Sequence, residues 1–151
     1  MSDDPFDLAR FVRAQDGQFS AAVDELRAGR KRTHWMWFIF PQLRGLGHSP
    51  TAEFYGIAGL EEANAFLAHP VLGPRLEMAV AAVQASPAGS LHELFGSPDD
   101  LKFRSSMTLF AAAAPDGPYQ AALDRWCEGE PDPRTAAWVG GGGSREGVEG
   151  R

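Results

Sequence analysis

The sequence is poor in the residues that most metal and covalent chemistry requires. Its 151 residues include a single cysteine, Cys127, so neither an internal disulfide nor a cysteine-based metal site can form. The four histidines are scattered, and none shows the H-x-x-x-H spacing of a helical zinc site. We therefore predict no metal and no cofactor. No complete catalytic signature is present, so the sequence leaves open whether the protein is an enzyme.

Long apolar runs and a secretion signal are also missing. No apolar stretch approaches the ~20 residues that are needed to span a bilayer. The N-terminus, residues 1–4, is acidic, whereas a signal peptide begins with positive charge. The remaining composition, 44% hydrophobic and 23% charged, is that of an ordinary globular protein. These features predict a cytoplasmic protein with no membrane contact.

Positive charge is scarce overall but concentrated in one place. The net charge is −6, which argues against a nucleic-acid partner because such proteins carry a basic footprint. Between Glu25 and Glu53 there is no carboxylate, and this span holds five of the fourteen basic residues: Arg27, Arg30, Lys31, Arg32 and Arg44. Such an island attracts an anion. Alternatively, residues 30–32 simply follow the end of a helix and interact favourably with its dipole.

Strand-forming residues are outnumbered by alanine. The chain has 23 alanines against 13 valines, isoleucines and threonines together, and no long alternating pattern occurs. We predict an all-α fold, a single compact domain of about seven to nine short helices over residues 4–139. The Gly-rich residues 140–151 are predicted to form a flexible tail.

A recurrent start signal divides the predicted helices. Four times an Asp or Ser precedes a proline, at positions 4–5, 49–50, 97–98 and 132–133. The first residue can cap a helix, and proline fits the first helical position because its missing N–H would be unpaired there. Ser90 and Glu93 form a further capping box. Among the predicted helices are residues 5–15, 60–68, 74–85 and 98–114, and the apolar spacing of Leu60, Ala63 and Phe66 indicates the second of these.

The Trp-rich segment, Trp35–Arg44, is the first candidate site. It follows the basic run and precedes a loop with two glycines, in the sequence RKRTHWMWFIFPQLRGLGHSP. A planar aromatic ring can stack on a base or sugar, and a guanidinium can bind phosphate in a bidentate manner. The candidate ligand-binding residues here are His34, Trp35, Trp37, Gln42 and Arg44. Alternatively, the aromatic residues belong to the core and Arg44 is solvated.

The predicted helix 98–114 supplies the second candidate surface. Lys102, Ser105 and Ser106 share one face, at spacings that make them neighbours on a helix. They form either a solvated stripe or the polar lining of a site. Neither serine lies in a nucleophile motif such as G-x-S-x-G or S-x-x-K.

Four blocks of sequence resemble one bacterial family. They are DPFDLARFVRAQ (4–15), HWMWFIFPQLRGLGHSPTAEFYGI (34–57), HPVLGPRL (69–76) and FGSPDDLKFRSSMTLFAAA (95–113). In this order they are similar to domain-of-unknown-function family 1810, sometimes mislabelled calpastatin-like. The resemblance implies a compact all-helical domain. It implies no catalytic residues, because none is established for the family, and a compact Trp-rich chain does not look like a calpain inhibitor.

The chain is also similar, in size and helical content, to a superfamily of helical N-glycosidases. Those enzymes act on riboflavin intermediates and ADP-ribosylated bases. The sequence lacks a clear version of their motifs. The resemblance implies, at most, a distant relative acting on ADP-ribose-like substrates.

Two functional hypotheses follow. In the first, the protein either binds, or binds and processes, a nucleotide-like or phosphorylated small molecule in a cleft between the Trp-rich segment and the Lys102 helix. Arg44 and Lys102 would hold the anion and Trp35 or Trp37 would stack on the ligand. His34, with Asp99 or Asp100, would handle protons. In the second, it is a non-enzymatic interaction module, because Trp and Arg dominate protein–protein hot spots. The ligand, the reaction and the oligomeric state are not determined by the sequence.

Overall fold

A computed structural model describes residues 4–140 of the chain. Ten α-helices form within this range, in the order α1 Ala9–Gln15, α2 Phe19–Ala28, α3 Met36–Ile39, α4 Pro50–Phe54, α5 Leu60–Ala68, α6 Leu72–Gln84, α7 Leu91–Phe95, α8 Asp99–Ala113, α9 Tyr119–Cys127 and α10 Pro133–Gly140. The count of ten is higher than the predicted seven to nine, since it includes α3, α4 and α7, which are very short. The predicted tail, 140–151, lies outside the described residues except for Gly140, which ends α10.

No strand forms within residues 4–140. The β contact present there is an isolated parallel bridge between Leu43 and Ile57. It is closed by hydrogen bonds from Arg44 N to Ile57 O (2.8 Å) and from Ile57 N to Gln42 O (2.9 Å). The prediction of an all-α fold is thus confirmed. In the same range, each helix is too short or too polar to cross a bilayer.

Two of the four Asp/Ser–Pro pairs cap helices as predicted. The Ser49 hydroxyl accepts a hydrogen bond from Ala52 N at 3.1 Å, and Asp132 Oδ2 accepts one from Thr135 N at 2.9 Å. One half of the predicted capping box also forms, because Ser90 Oγ accepts from Glu93 N at 3.1 Å. The Glu93 carboxylate accepts from Gly89 N at 3.1 Å in place of Ser90 N. Local side-chain chemistry therefore sets these helix starts.

The other helix starts differ from the prediction. The first helix begins at Ala9 and not at Pro5, since Asp7 has a positive φ of 53° and interrupts the helix. The Asp4 carboxylate still accepts hydrogen bonds from Leu8 N (2.7 Å) and Ala9 N (2.9 Å). The long α8 begins at Asp99 without a side-chain cap.

Helix α6 begins two residues before the predicted Pro74. His69 Nδ1 accepts hydrogen bonds from Val71 N (3.1 Å) and Leu72 N (3.2 Å), so an imidazole serves as the cap. Pro74 then lies in the first turn of the helix, where its missing N–H removes no hydrogen bond.

Helix α8 lies at the centre of the core. It contacts α5, α7, α9 and α10, and its residues from Ser105 to Phe110 are all buried. The Phe103 ring lies 5.1 Å from both the Phe40 ring and the Phe95 ring, and Phe40 in turn contacts Trp35. The Trp-rich segment is therefore anchored to α7 and α8 by packed aromatic rings.

A buried arginine joins α1 to the chain around α4 and α5. The Arg10 guanidinium pairs with Glu62 Oε2 at 2.8 Å, and both side chains are at most 4% exposed. Arg10 also donates to the carbonyl oxygens of Phe54 (2.8 Å) and Gly56 (3.0 Å). It thereby holds the segment after α4 against the first helix.

Candidate functional site

Glu25 organises the basic loop between α2 and α3. Its carboxylate accepts hydrogen bonds from Arg32 N (2.7 Å), Thr33 N (3.1 Å) and Trp35 Nε1 (2.9 Å), and from the Thr33 hydroxyl (2.6 Å). Burial acts to raise the pKa of Glu25, but the hydrogen bonds outweigh it and lower the pKa to about 2. One carboxylate thus fixes the loop that carries the positive island.

The two lysines of the chain converge on one carboxylate. Lys31 and Lys102 are the only lysines in the sequence. Lys31 Nζ lies 3.0 Å from Asp99 Oδ2, and Lys102 Nζ lies 3.4 Å from Asp99 Oδ1. We call Lys31, Asp99 and Lys102 the lysine cluster. Its three side chains are 8%, 19% and 24% exposed for Lys31, Asp99 and Lys102, so the cluster lies just below the surface.

Each lysine of the cluster also lies over a tryptophan ring. Lys31 Nζ is 5.1 Å from the centre of the Trp35 ring, and Lys102 Nζ is 4.9 Å from that of Trp37. At these distances the ring face attracts the ammonium group. The Trp-rich segment therefore positions both ammonium groups, and two positive charges share a single carboxylate.

A hollow of about 600 Å³ adjoins the cluster, and we call it the basic hollow. Its lining includes Arg30, Lys31, His92, Glu93 and Phe95. Lys31 N donates to Leu94 O at 2.6 Å, which joins the basic loop to α7 and forms one side of the hollow. The positive island thus borders a volume that is large enough for a small ligand.

Three of the sequence-predicted site residues lie together. Trp37, Gln42 and Lys102 line a common depression with the α4 region, but its volume is only about 10 Å³. A cavity of this size holds about one water molecule. The three residues are therefore neighbours, while the larger open volume lies beside Lys31.

Other predicted site residues are buried. Trp35 is 0% exposed and belongs to the core, as in the alternative interpretation of the aromatic run. Ser105 and Ser106 are also buried, and Ser105 Oγ donates to Leu101 O at 3.1 Å. In this conformation these three side chains can support a site but cannot contact a ligand at the surface.

The remaining two predicted residues are exposed. Arg44 donates from Nη2 to Gly56 O (3.0 Å) and from Nε to Glu53 O (3.3 Å), so part of its guanidinium is used to hold the end of α4. His34 is exposed in the loop before α3. Their contact with a ligand stays a prediction.

Comparison with known proteins identifies the family to which the chain belongs. The family described as a protein of unknown function, DUF1810, matches residues 5–139. The chain belongs to this family. The resemblance drawn from the four sequence blocks is thus confirmed. A search of curated proteins gives no match.

The chain is also similar to a protein whose structure has been solved. The conserved hypothetical protein Rv1873 from Mycobacterium tuberculosis is 56% identical in sequence, with a TM-score of 0.87. The similarity covers 89% of this chain and 96% of that one. That protein is a conserved hypothetical protein, so the relationship establishes the fold of this DUF1810 chain but not its function.

Several residues of this site did not emerge in their observed roles from the sequence. Arg30 and Lys31 were visible only as part of the positive island, and Asp99 was predicted, with Asp100 as the alternative, only to handle protons with His34. His92 carried no distinguishing signal. The scarcity of lysine was the usable clue, because the sequence has only two lysines, one in the positive island and one on the predicted helix 98–114.

The described residues of this DUF1810 chain offer little for metal or thiol chemistry. Within residues 4–140, no group of three or more His, Cys, Asp or Glu side chains is placed to hold a metal ion. Burial raises the pKa of the Cys127 thiol, an effect that the nearby Arg104 only partly opposes. A raised pKa disfavours the reactive thiolate at neutral pH.

Proposed function

We propose that this protein binds a nucleotide-like or phosphorylated small molecule where the lysine cluster meets the basic hollow. The observation that carries the proposal is the convergence of Lys31 and Lys102 on Asp99 beside a volume of about 600 Å³. We assign binding and leave the reaction unassigned. A cytoplasmic location is part of the proposal, because phosphorylated metabolites are retained there.

The charges at the site favour an anion. Asp99 supplies one negative charge between two ammonium groups, and Arg30 adds a third cation at the wall of the hollow. An ammonium has three donors, and among residues 4–140 the two lysine ammonium groups make one hydrogen bond, from Lys31 Nζ to Thr33 O at 2.5 Å. Glu93 at the same wall reduces the positive charge but does not cancel it. A phosphate at the hollow would thus gain charge-assisted hydrogen bonds.

The Trp-rich segment contributes to the proposed site through Trp37 and Gln42. The Trp37 ring is partly exposed beside Lys102, and Gln42 lies in the same depression. The face of the Trp37 ring holds the Lys102 ammonium group, and Gln42 offers both a donor and an acceptor beside it. We keep these two residues, with Lys102, from the sequence prediction and add Arg30, Lys31 and His92.

The test is calorimetric titration with ADP, ribose 5-phosphate and inorganic pyrophosphate at low ionic strength. We expect at least one of these anions to bind, and Arg30→Ala to weaken its binding about tenfold. The matched control is Arg27→Ala, which removes an exposed arginine of α2 that does not line the basic hollow. Absence of binding by all three anions, or an equal effect of the two variants, would contradict the proposal. Chromatography of the recovered ligand tests for processing, including N-glycosidic cleavage.

The second candidate is an interaction module that binds an amphipathic helix of a partner protein. It is favoured by a mainly apolar hollow of about 590 Å³, whose lining includes Phe6, Leu8, Val12 and Ala65. An amphipathic helix could place its apolar face in such a groove. Selection of displayed peptides, followed by loss of their binding in Val12→Asp, would support it. Selection of no apolar sequence would count against it.

A further inference from the structure

A second hollow adjoins the basic hollow, and the two have opposite charge character. The second one measures about 340 Å³ and lies between α7, α8 and α9. His92 lines both hollows, so they share a wall. Three carboxylates, of Asp100, Glu128 and Glu130, line the second hollow. We call it the acidic hollow.

Apolar side chains also line the acidic hollow. Leu101, in the first turn of α8, is an apolar side chain that is nevertheless 58% exposed. Leu91 and Trp126 line the same hollow. The Trp126 ring is held in place because its Nε1 donates to Gln84 Oε1 at 2.9 Å. The hollow thus combines a fixed aromatic ring, an exposed leucine and hydrogen-bond acceptors.

Arg104 gives the acidic hollow one oriented cation. Its Nε donates to Glu130 O at 2.9 Å, which holds the guanidinium against the wall. Among residues 4–140, no hydrogen bond from its two terminal nitrogens is present. These donors could meet ring nitrogens or carbonyl oxygens of a heterocycle.

We infer that the two hollows form one bipartite site for a nucleoside diphosphate. The diphosphate would lie in the basic hollow near Arg30 and Lys31, and the nucleoside in the acidic hollow. The carboxylates there would repel phosphate but accept hydrogen bonds from ribose hydroxyls or a base amino group. Leu101 and Trp126 would contact the base. This inference rests on the proposed function and specifies its ligand.

The experiment compares pyrophosphate, ADP and adenosine by calorimetry on the full chain. We expect ADP to bind about tenfold more tightly than pyrophosphate, because it adds contacts in the acidic hollow. Leu101→Gln removes an exposed apolar contact, and we expect about fivefold weaker ADP binding with pyrophosphate binding unchanged. The control is Met78→Gln on α6, which replaces a similarly exposed apolar residue away from both hollows and should alter neither.

The outcomes separate the two levels of the proposal. If pyrophosphate binds in an Arg30-dependent manner but ADP binds no more tightly, the anion site stands and the nucleoside half is overturned. An unchanged ADP affinity in Leu101→Gln overturns the nucleoside half as well. If none of the phosphate compounds binds, both the proposed function and this inference are overturned.

Discussion

The protein contains two charged clusters that differ in how completely their donors are used. In the first, all five N–H donors of the buried Arg10 have acceptors: the carbonyl oxygens of Phe6, Asp7, Phe54 and Gly56, and Glu62 Oε2. Glu62 Oε1 accepts a further hydrogen bond, from Ala58 N at 2.9 Å. The lysine cluster instead places two ammonium groups on one carboxylate near a hollow.

This difference separates a structural role from a binding role. A fully satisfied and buried pair has nothing left to offer a ligand, and its loss exposes uncompensated charge in the core. The lysine cluster keeps excess positive charge next to open volume, so its loss should affect binding more than stability. The following experiments test that contrast.

The largest expected effect is on the Arg10 cluster. Arg10→Met leaves Glu62 buried without its cation and several carbonyl groups without a donor, so we expect the free energy of unfolding to fall by about 3–5 kcal/mol. Urea denaturation measures this change. Arg13→Met is the control, because the Arg13 side chain is 66% exposed and its ion pair with Asp7 is long, at 4.0 Å. This substitution should change the free energy of unfolding little. Similar losses of unfolding free energy in Arg10→Met and Arg13→Met would contradict a structural role for the Arg10 cluster.

Gly56 lies where two arginines meet, and its substitution should be nearly as damaging. Both Arg10 and Arg44 donate to Gly56 O at 3.0 Å. A Cβ at this position would lie 2.6 Å from the Cα and Cβ atoms of Arg44. We expect Gly56→Ala to lower the unfolding free energy by about 3 kcal/mol through this overlap.

Gly89→Ala is the matched control for that substitution. Its added Cβ would meet only the flexible end of the Glu93 side chain, at 3.3 Å. We expect a much smaller loss in the same urea denaturation assay. A tolerated Gly56→Ala would mean that the close contact between Arg44 and this segment is not required.

An intermediate effect is expected at Glu25, which holds the basic loop. With the folded-state pKa lowered from 4.5 to about 2, the stabilisation is complete above pH 4.5 and is lost as the pH falls towards 2. Allowing for partial solvent exposure, we expect this loss to be about 2 kcal/mol. Glu25→Gln should show a correspondingly weaker decrease in stability between these pH values, measured by urea denaturation. An unchanged pH dependence would contradict the assignment.

The smallest stability effect is expected at Lys102. Lys102→Met removes an ion pair that is close to solvent, so the unfolding free energy should change by less than about 1 kcal/mol. Binding of the phosphate ligand should nevertheless weaken severalfold, as measured by calorimetry. Lys102→Arg keeps the positive charge and should restore much of the affinity. A Lys102→Met variant that does not fold would show that Lys102, like Arg10, has a structural role.

Much of the fold could be predicted because its signals are local. Helix α5 forms over Leu60–Ala68, as the apolar spacing indicated, and Ser49, Ser90 and Asp132 cap their helices within three residues along the chain. The errors occur where a local signal has a competitor. The left-handed Asp7 delays α1, and the imidazole of His69 provides a cap that the residue preferences do not favour.

The candidate site was less predictable because it depends on distant residues. The island around Arg30 follows a sequence pattern, but the pairing of Trp37 with Lys102 and the convergence of both lysines on Asp99 do not. The grouping of Lys102 with Ser105 and Ser106 also failed to separate half-buried from fully buried positions. Helical spacing places these side chains near one another but does not show which neighbouring helix covers them.

The sequence by itself determined the helical class, most helix boundaries and the concentration of positive charge in one segment. The helical class and the helix boundaries follow from interactions between residues a few positions apart, whose energies depend little on the rest of the chain. The concentration of positive charge follows directly from the order of the residues. Only the tertiary structure decided that Trp35 is core, that Arg10 is satisfied by carbonyls from several segments, and that Lys31 borders an open hollow. Burial and charge pairing depend on which helices pack together, and packing joins residues that local patterns treat as independent.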